Sequence, residues 1–302
     1  MIPYILHFVN VQLHRRGCTV SADGTVQPTA TRVFNFKRPG CSTGALYSVD
    51  SFEDETYEYT IPEEIIPEEN IELYGHVSRN FDAETDMNEI CILNEDGSKS
   101  VYFFDHSVKY TDDDGTVKDK SNKLHATKRK NYLYVNEEND IRSYFPKKIT
   151  KHPVLTAIGD YEIKVGIVTD AKAKEKGQLL DDNVVFYDKA FGDNTALRYN
   201  PQFDGYKEEI ILYSSAAPKQ YSFEIECDGL MIQNNGGILS YIDEVSGDTI
   251  FTSEPLYIYD SSTQEKCYIE TDYHIEQIKN SKYLLTISID ENFLNQEGLT
   301  YP

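Results

Sequence analysis

Tryptophan is missing from the 302 residues, methionine falls to 3 and cysteine to 5. Without tryptophan, aromatic recognition of a sugar would fall to tyrosine, whose ring packs while its hydroxyl stays wet. The cysteines, Cys18, Cys41, Cys91, Cys227 and Cys267, show no CxxC or comparable spacing. That excludes a zinc signature and a disulfide framework. A Cys18–Cys41 bridge around a Gly-rich loop and a set of buried free thiols both fit the pattern. No stretch approaches the roughly 20 apolar residues of a membrane span. The opening MIPYILHFVNVQLHRR lacks a basic segment ahead of its apolar run. It reads as a strand, or as the start of a chain from which a leader has been removed. Helical periodicity is scarce: TDAKAKEKGQLL (169–180) fits a helix or a loop, and ENFLNQEG (291–298) fits one turn stopped by Gly298.

Positive charge is also short, with Lys+Arg 29 against Asp+Glu 51 and a formal net charge of −22. A polyanion would be repelled, so no nucleic-acid partner is expected. The balance is uneven, because Arg15, Arg16, Arg32, Lys37 and Arg38 face only Asp23 and Asp50 in residues 1–50. A basic run, Lys118, Lys120, Lys123, Lys128, Arg129 and Lys130, interrupts the acidity and reads as a solvated loop.

What is abundant is strand chemistry. There are 23 Tyr and 14 Phe, together with many Ile, Val and Thr. Alternating segments are closed by Asp/Asn-Gly turns that tolerate positive φ. SADGTV (21–26), NEDGSKSVYFF (94–104), KYTDDDGTV (109–117) and CDGLMIQNNGGILSYI (227–242) have this form, and EVSGDTIFT (244–252) reads the same way around Ser246-Gly247. In YSFEIE (221–226) and YLLTISI (283–289) the period of two places Leu285, Ile287 and Ile289 on one face. The expected fold is all-β, a β-sandwich architecture of one extended or two adjacent sandwiches with very little helix. Composition divides the chain into an N-terminal appendage (1–60), a hairpin-rich domain (61–150) and a sandwich domain (151–302). IPEEIIPEEN (61–70) and FPKKITKHPV (145–154) are the candidate junctions.

Catalytic motifs are not in view. His7, His14, His76, His106, His125, His152 and His274 stand in no HExxH, HxH or GxSxG setting. With 51 acids, proximity of two carboxylates in sequence says little about a glycosidase pair. Asn234-Asn235-Gly236-Gly237 lacks the Lys-Ser/Thr of a phosphate loop and reads as a turn. No cofactor is called for. Calcium is the one candidate metal, on the hard oxygens of Asp112, Asp113, Asp114 and Asp119, although their spacing departs from the D-x-D-x-D-G loop. In LRYNPQFDGYKEEIIL (197–212), Asp204, Lys207, Glu208 and Glu209 crowd together like an acid–base cluster. Strand alternation resolves it differently: Leu197 and Tyr199 share a face, Asn200-Pro201 breaks the run, and Lys207 and Glu209 pair on one face.

The same region carries a resemblance. Asn194 to Tyr199, Gly205 to Leu212 and Tyr221 to Leu230 are similar, in order, to blocks found in large secreted Gram-positive proteins. Those proteins bear YD repeats of the Rhs or wall-associated type, often with a DNRLRE domain. TIFTSEPLYIYDSS (249–262), IDENFLNQEGLTYP (289–302) and KYTDDDGTVKDKSNKL (109–124) resemble further blocks, with Phe293 where the family usually has tryptophan and Glu209 where it has aspartate. The likeness spans about residues 90–302; residues 1–60 resemble nothing named. It implies a β-rich, secreted or cell-surface module ahead of repeats in a longer polypeptide. No catalytic residue transfers.

The expected function is therefore a non-catalytic extracellular module that presents, caps or anchors a larger toxin-delivery or adhesin-like protein. Its partners would be the downstream domains of the same polypeptide. The alternative is a glycan- or host-protein-binding module using exposed tyrosines on a sheet face, either Tyr199 with Tyr206 or Tyr257 with Tyr259, which are two apart and so share a face. A glycoside hydrolase or lyase ranks third, because sandwiches host such chemistry but no site is visible.

Overall fold

The computed structural model describes residues 4–8, 32–36, 65–66, 71–72, 74–171, 176–259, 266–267 and 273–295. The chain is all-β and antiparallel. It forms two compact units, one of residues 18–119 and one of residues 1–17 with 120–302.

The larger unit is a β-sandwich. One sheet runs, in spatial order, Gln178–Leu180, Val184–Asp188, Thr195–Gln202, Gly205–Leu212, Tyr4–Phe8, Tyr257–Tyr259 and Lys266–Cys267. The other runs Tyr273–Lys279, Lys282–Ser288, Gln220–Cys227, Tyr161–Val168, Val154–Ile158, Ile141–Pro146, Tyr132–Val135 and His125–Ala126. A three-stranded sheet, Leu230–Asn235, Ile238–Asp243 and Thr249–Thr252, adds Leu230, Ile232, Leu239, Tyr241 and Phe251 to the same core.

Alternation makes the faces. Along Gln220–Cys227, Tyr221, Phe223, Ile225 and Cys227 are buried while Gln220 and Glu224 face water. Tyr283, Leu285 and Ile287 on the neighbouring strand do the same, registered opposite Ile225, Phe223 and Tyr221. The opposing sheet supplies Val185, Tyr187, Leu197, Tyr199, Tyr206, Ile210 and Leu212. Aromatic rings interlock across the gap: Phe145 meets Tyr199 at 5.6 Å and Tyr206 at 6.3 Å. Turn chemistry sets the registers. Gly229, at φ 77°, follows Asp228 in the turn between Cys227 and Leu230, a conformation that favours glycine.

Several expectations change. Asn200-Pro201 does not break its strand, which runs through to Gln202 with Pro201 opposite Tyr206. The strand on its other side registers only with Ala196 to Tyr199, so the missing proline N–H leaves no ladder bond unmade. Residues 145–154 are no junction, because Ile141–Pro146 and Val154–Ile158 are adjacent strands of one sheet. Tyr4–Phe8 is no appendage; it lies inside the sheet between Gly205–Leu212 and Tyr257–Tyr259. Gln178–Leu180 is a strand where a helix was one reading of 169–180, and residues 172–175 lie outside the described ones. The turn at Glu291–Leu294 is helical as expected. Ile65 and Ile66 are buried, unlike a linker, and most of 61–70 lies outside the described residues, as does SADGTV (21–26). Cys91 and Cys227 are buried free thiols, while Cys18 and Cys41 lie outside the described residues.

The unit of residues 18–119 is built on the sheet Arg32–Phe36, Lys99–Phe103, Glu89–Asn94 and His76–Arg79, with a hairpin of Lys109–Thr111 and Val117–Asp119. Ile90, Ile92, Tyr102, Phe104, Val108 and Tyr110 are buried here with Ile65, Ile66 and Cys91.

Candidate functional site

Tyr199 and Tyr206, expected on an exposed face, are 0% and 1% exposed and point into the sandwich. Tyr257 is 5% exposed, and of Tyr259 only the backbone is described. Tyr199 and Tyr206 line the core between the sheets, and neither they nor the buried Tyr257 offers a platform to a ligand in solution.

The crowded acids separate onto two faces. Glu209 pairs with Arg198 and, at 3.1 Å, with Lys207. Glu208 points inward, 1% exposed, and accepts the Tyr199 hydroxyl at 2.6 Å. Burial pushes the Glu208 carboxyl up to about 7, against which the Tyr199 hydrogen bond acts to lower it. Burial, with the Glu208 charge adding to it, holds Tyr199 and Tyr206 well above the ordinary phenol value. Tyr206 is hydrogen-bonded to Thr156, whose hydroxyl lies 3.2 Å from that of Ser143. A raised carboxyl in a cleft would suggest an acid–base role, but Glu208 sits under both sheets.

A second buried cluster holds the tip of the same hairpin. Lys120, 4% exposed, donates to the Phe203 carbonyl at 2.8 Å and pairs with Asp140 at 2.5 Å. The Asn139 amide also donates to Phe203 O, at 3.3 Å. Lys120 is therefore not part of a solvated basic loop. Arg129 is, in part: it lies 4.7 Å over the Tyr144 ring and 3.1 Å from Glu162.

Of the calcium candidates, Asp112 accepts from Lys118 at 2.5 Å and from the Asp113 amide at 2.8 Å. Asp114 accepts the Thr116 amide at 2.9 Å, which holds its carboxyl below the usual range. Asp119 pairs with Arg79. The four are thus divided between a hairpin turn and an ion network. Among the described residues no group of three or more His, Cys, Asp or Glu is placed to hold a metal. Among them, too, no helix is long and apolar enough to cross a membrane.

That ion network is the charged centre of the 18–119 unit. Glu84 accepts from Arg79 at 2.8 and 2.9 Å, from Lys109 at 2.7 Å and from the Cys91 amide at 3.1 Å. Burial opposes both charges, yet these bonds hold Glu84 below and Arg79 above their ordinary values. Phe81 lies under both cations, 4.9 Å from Arg79 and 5.5 Å from Lys109. Nearby in sequence, His76 bonds Asn94 at 2.7 Å and Tyr102 at 2.6 Å. Motif spacing missed all of these groups, because their partners stand anywhere from 5 to 83 residues away, at no recurring interval.

No protein-family model, curated protein or solved structure matches the chain.

Proposed function

We propose that the chain is a non-catalytic, extracellular β module of a larger bacterial secreted or cell-surface protein, which presents or anchors neighbouring domains of the same polypeptide. The observation that carries this reading is the position of Tyr4–Phe8. That strand pairs antiparallel with Gly205–Leu212 on one side and Tyr257–Tyr259 on the other. Pulling it out requires breaking two ladders at once, so the sandwich resists opening and proteolysis at the chain's beginning. Removing it would bare two strand edges. The net charge of −22 keeps such a module soluble and apart from its copies. The buried placement of Glu208, Tyr199 and Tyr206 supports a packing role for the most enzyme-like cluster.

The test displays the chain on a bacterial surface between an anchor and a reporter domain, with and without residues 1–8, and treats the cells with protease. Reporter retention that depends on residues 1–8 supports the reading. Robust turnover of a glycan or peptide by the purified chain, abolished by a point substitution, overturns it.

A further inference from the structure

We propose that the chain carries two proton switches of opposite sign: acidification loosens the 18–119 unit through His76 and tightens the sandwich through Glu208. Each switch is a buried titratable side chain whose hydrogen bonds fit one protonation state.

His76 is 9% exposed. The Asn94 amide nitrogen donates to Ser98 Oγ at 2.9 Å and Ser100 Oγ at 3.0 Å, which leaves Asn94 Oδ1 as the acceptor facing the imidazole. His76 Nδ1 must then be the donor at 2.7 Å, and Nε2 the acceptor of the Tyr102 hydroxyl at 2.6 Å. The network is complete for the neutral ring. A second proton would make the Tyr102 hydroxyl turn from donor to acceptor and would bury a charge. The titratable groups facing the ring are Tyr102 and Tyr74, whose ring stacks at 5.7 Å, with Glu95 on the turn beside Gly75. Burial lowers the His76 pKa, and the Asn94 bond only partly offsets this. Being lowered, His76 contributes stability above the unfolded value, lost as pH falls through the folded one.

Glu208 is built for the opposite state. Facing it are Tyr199 at 2.6 Å from the paired strand, Tyr206 from its own, and Tyr187, which meets Tyr199 at 5.9 Å. The opposite sheet contributes Phe145 and Thr156, which lie against Tyr199 and Tyr206. On its other side the register partner is Phe8. The cations of the hairpin, Arg198 and Lys207, pair with Glu209 on the other face. The protonated carboxyl is therefore the form that the core accommodates. Being raised, Glu208 contributes stability present below its unfolded pKa, lost as pH rises through the folded value.

The experiment is hydrogen exchange of the full chain, corrected for intrinsic rates, between about pH 7.5 and about pH 5.5. On acidification, protection of Gly205–Leu212 should rise on the order of tenfold, and that of Glu89–Asn94 should fall by up to about tenfold, the ceiling set over that interval by an unfolded histidine that titrates at about 6.5. Glu208→Gln should flatten the first response and His76→Gln the second. Responses of equal sign in the two units, or variants that keep the wild-type slopes, overturn the proposal. Should His76→Gln fail to fold, imidazole carbon shifts in the wild-type chain decide. A His76 that titrates at or above the free-histidine value sinks its half of the proposal.

Discussion

Tyr199 and Glu208 face each other in register across the hairpin of Thr195–Gln202 and Gly205–Leu212, and the phenol donates to the carboxyl at 2.6 Å. A buried acid paired with a neutral donor behaves unlike one paired with a cation: its acid form is the favoured one.

The first prediction follows from that pair. Glu208 at about 7, against an ordinary value of 4.5, makes sandwich stability fall with rising pH across that window. The loss is on the order of 3 kcal/mol above the window, at about 1.4 kcal/mol per pH unit. Tyr199→Phe should remove about 1–3 kcal/mol at neutral pH, since it orphans a buried acceptor. Because Tyr199 lowers Glu208, the variant should also shift the pH-dependent loss to higher pH. Urea midpoints across the acid-to-neutral range check both effects. A loss that moves to lower pH contradicts the assigned donor.

The hairpin itself was legible in LRYNPQFDGYKEEIIL, as was the pairing of Lys207 with Glu209, since alternation with period two is local. The depth of Tyr199 and Tyr206 was not. Whether a strand face meets water or a second sheet depends on Phe145 and Thr156, far along the chain. Likewise Lys120 looked like one more solvated lysine in a basic run. Only the fold brings Phe203 O and Asp140 to it. Of the Tyr4–Phe8 strand, the sequence showed its extended character but not its interior place, which depends on partners 200 or more residues away.

At the Lys120 cluster the two halves of the ion pair are unequal. The Lys120 side chain is 3% exposed and that of Asp140 33%. Lys120→Met removes the buried charge and returns Asp140 to water, costing about 1–3 kcal/mol, mainly for the lost bond to Phe203 O. Asp140→Asn leaves the ammonium buried without its carboxylate, costing about 3–5 kcal/mol. Denaturant unfolding of both variants should rank Asp140→Asn as the worse. The reverse order would mean that the lysine is hydrated.

In the 18–119 unit, Glu84 holds two cations, and its side chain is 1% exposed, whereas that of Asp119 is 31%. Glu84→Gln should destabilise the unit by about 3–5 kcal/mol, because Arg79 and Lys109 lose a shared counter-ion. Asp119→Asn should cost about 1 kcal/mol, since water reaches the site and Glu84 still neutralises Arg79. Thermal unfolding followed by hydrogen exchange in Glu89–Asn94 separates the two. Equal losses would show that the charge is shared evenly across the network.

Tyr257 distinguishes packing from recognition. It is 5% exposed and stands in register with His7 of the interior strand. Tyr257→Ala should empty a core position and cost about 3–5 kcal/mol. Tyr257→Leu keeps part of the volume and should cost less. The loss should also appear locally. With the Tyr257–Tyr259 ladder weakened, Tyr4–Phe8 keeps firm pairing on one side only, and protease cleavage near the start of the chain should accelerate. A surface tyrosine reserved for a ligand would behave differently, since Tyr257→Ala would leave urea midpoints and the cleavage pattern unchanged. That outcome would withdraw Tyr257 from the core.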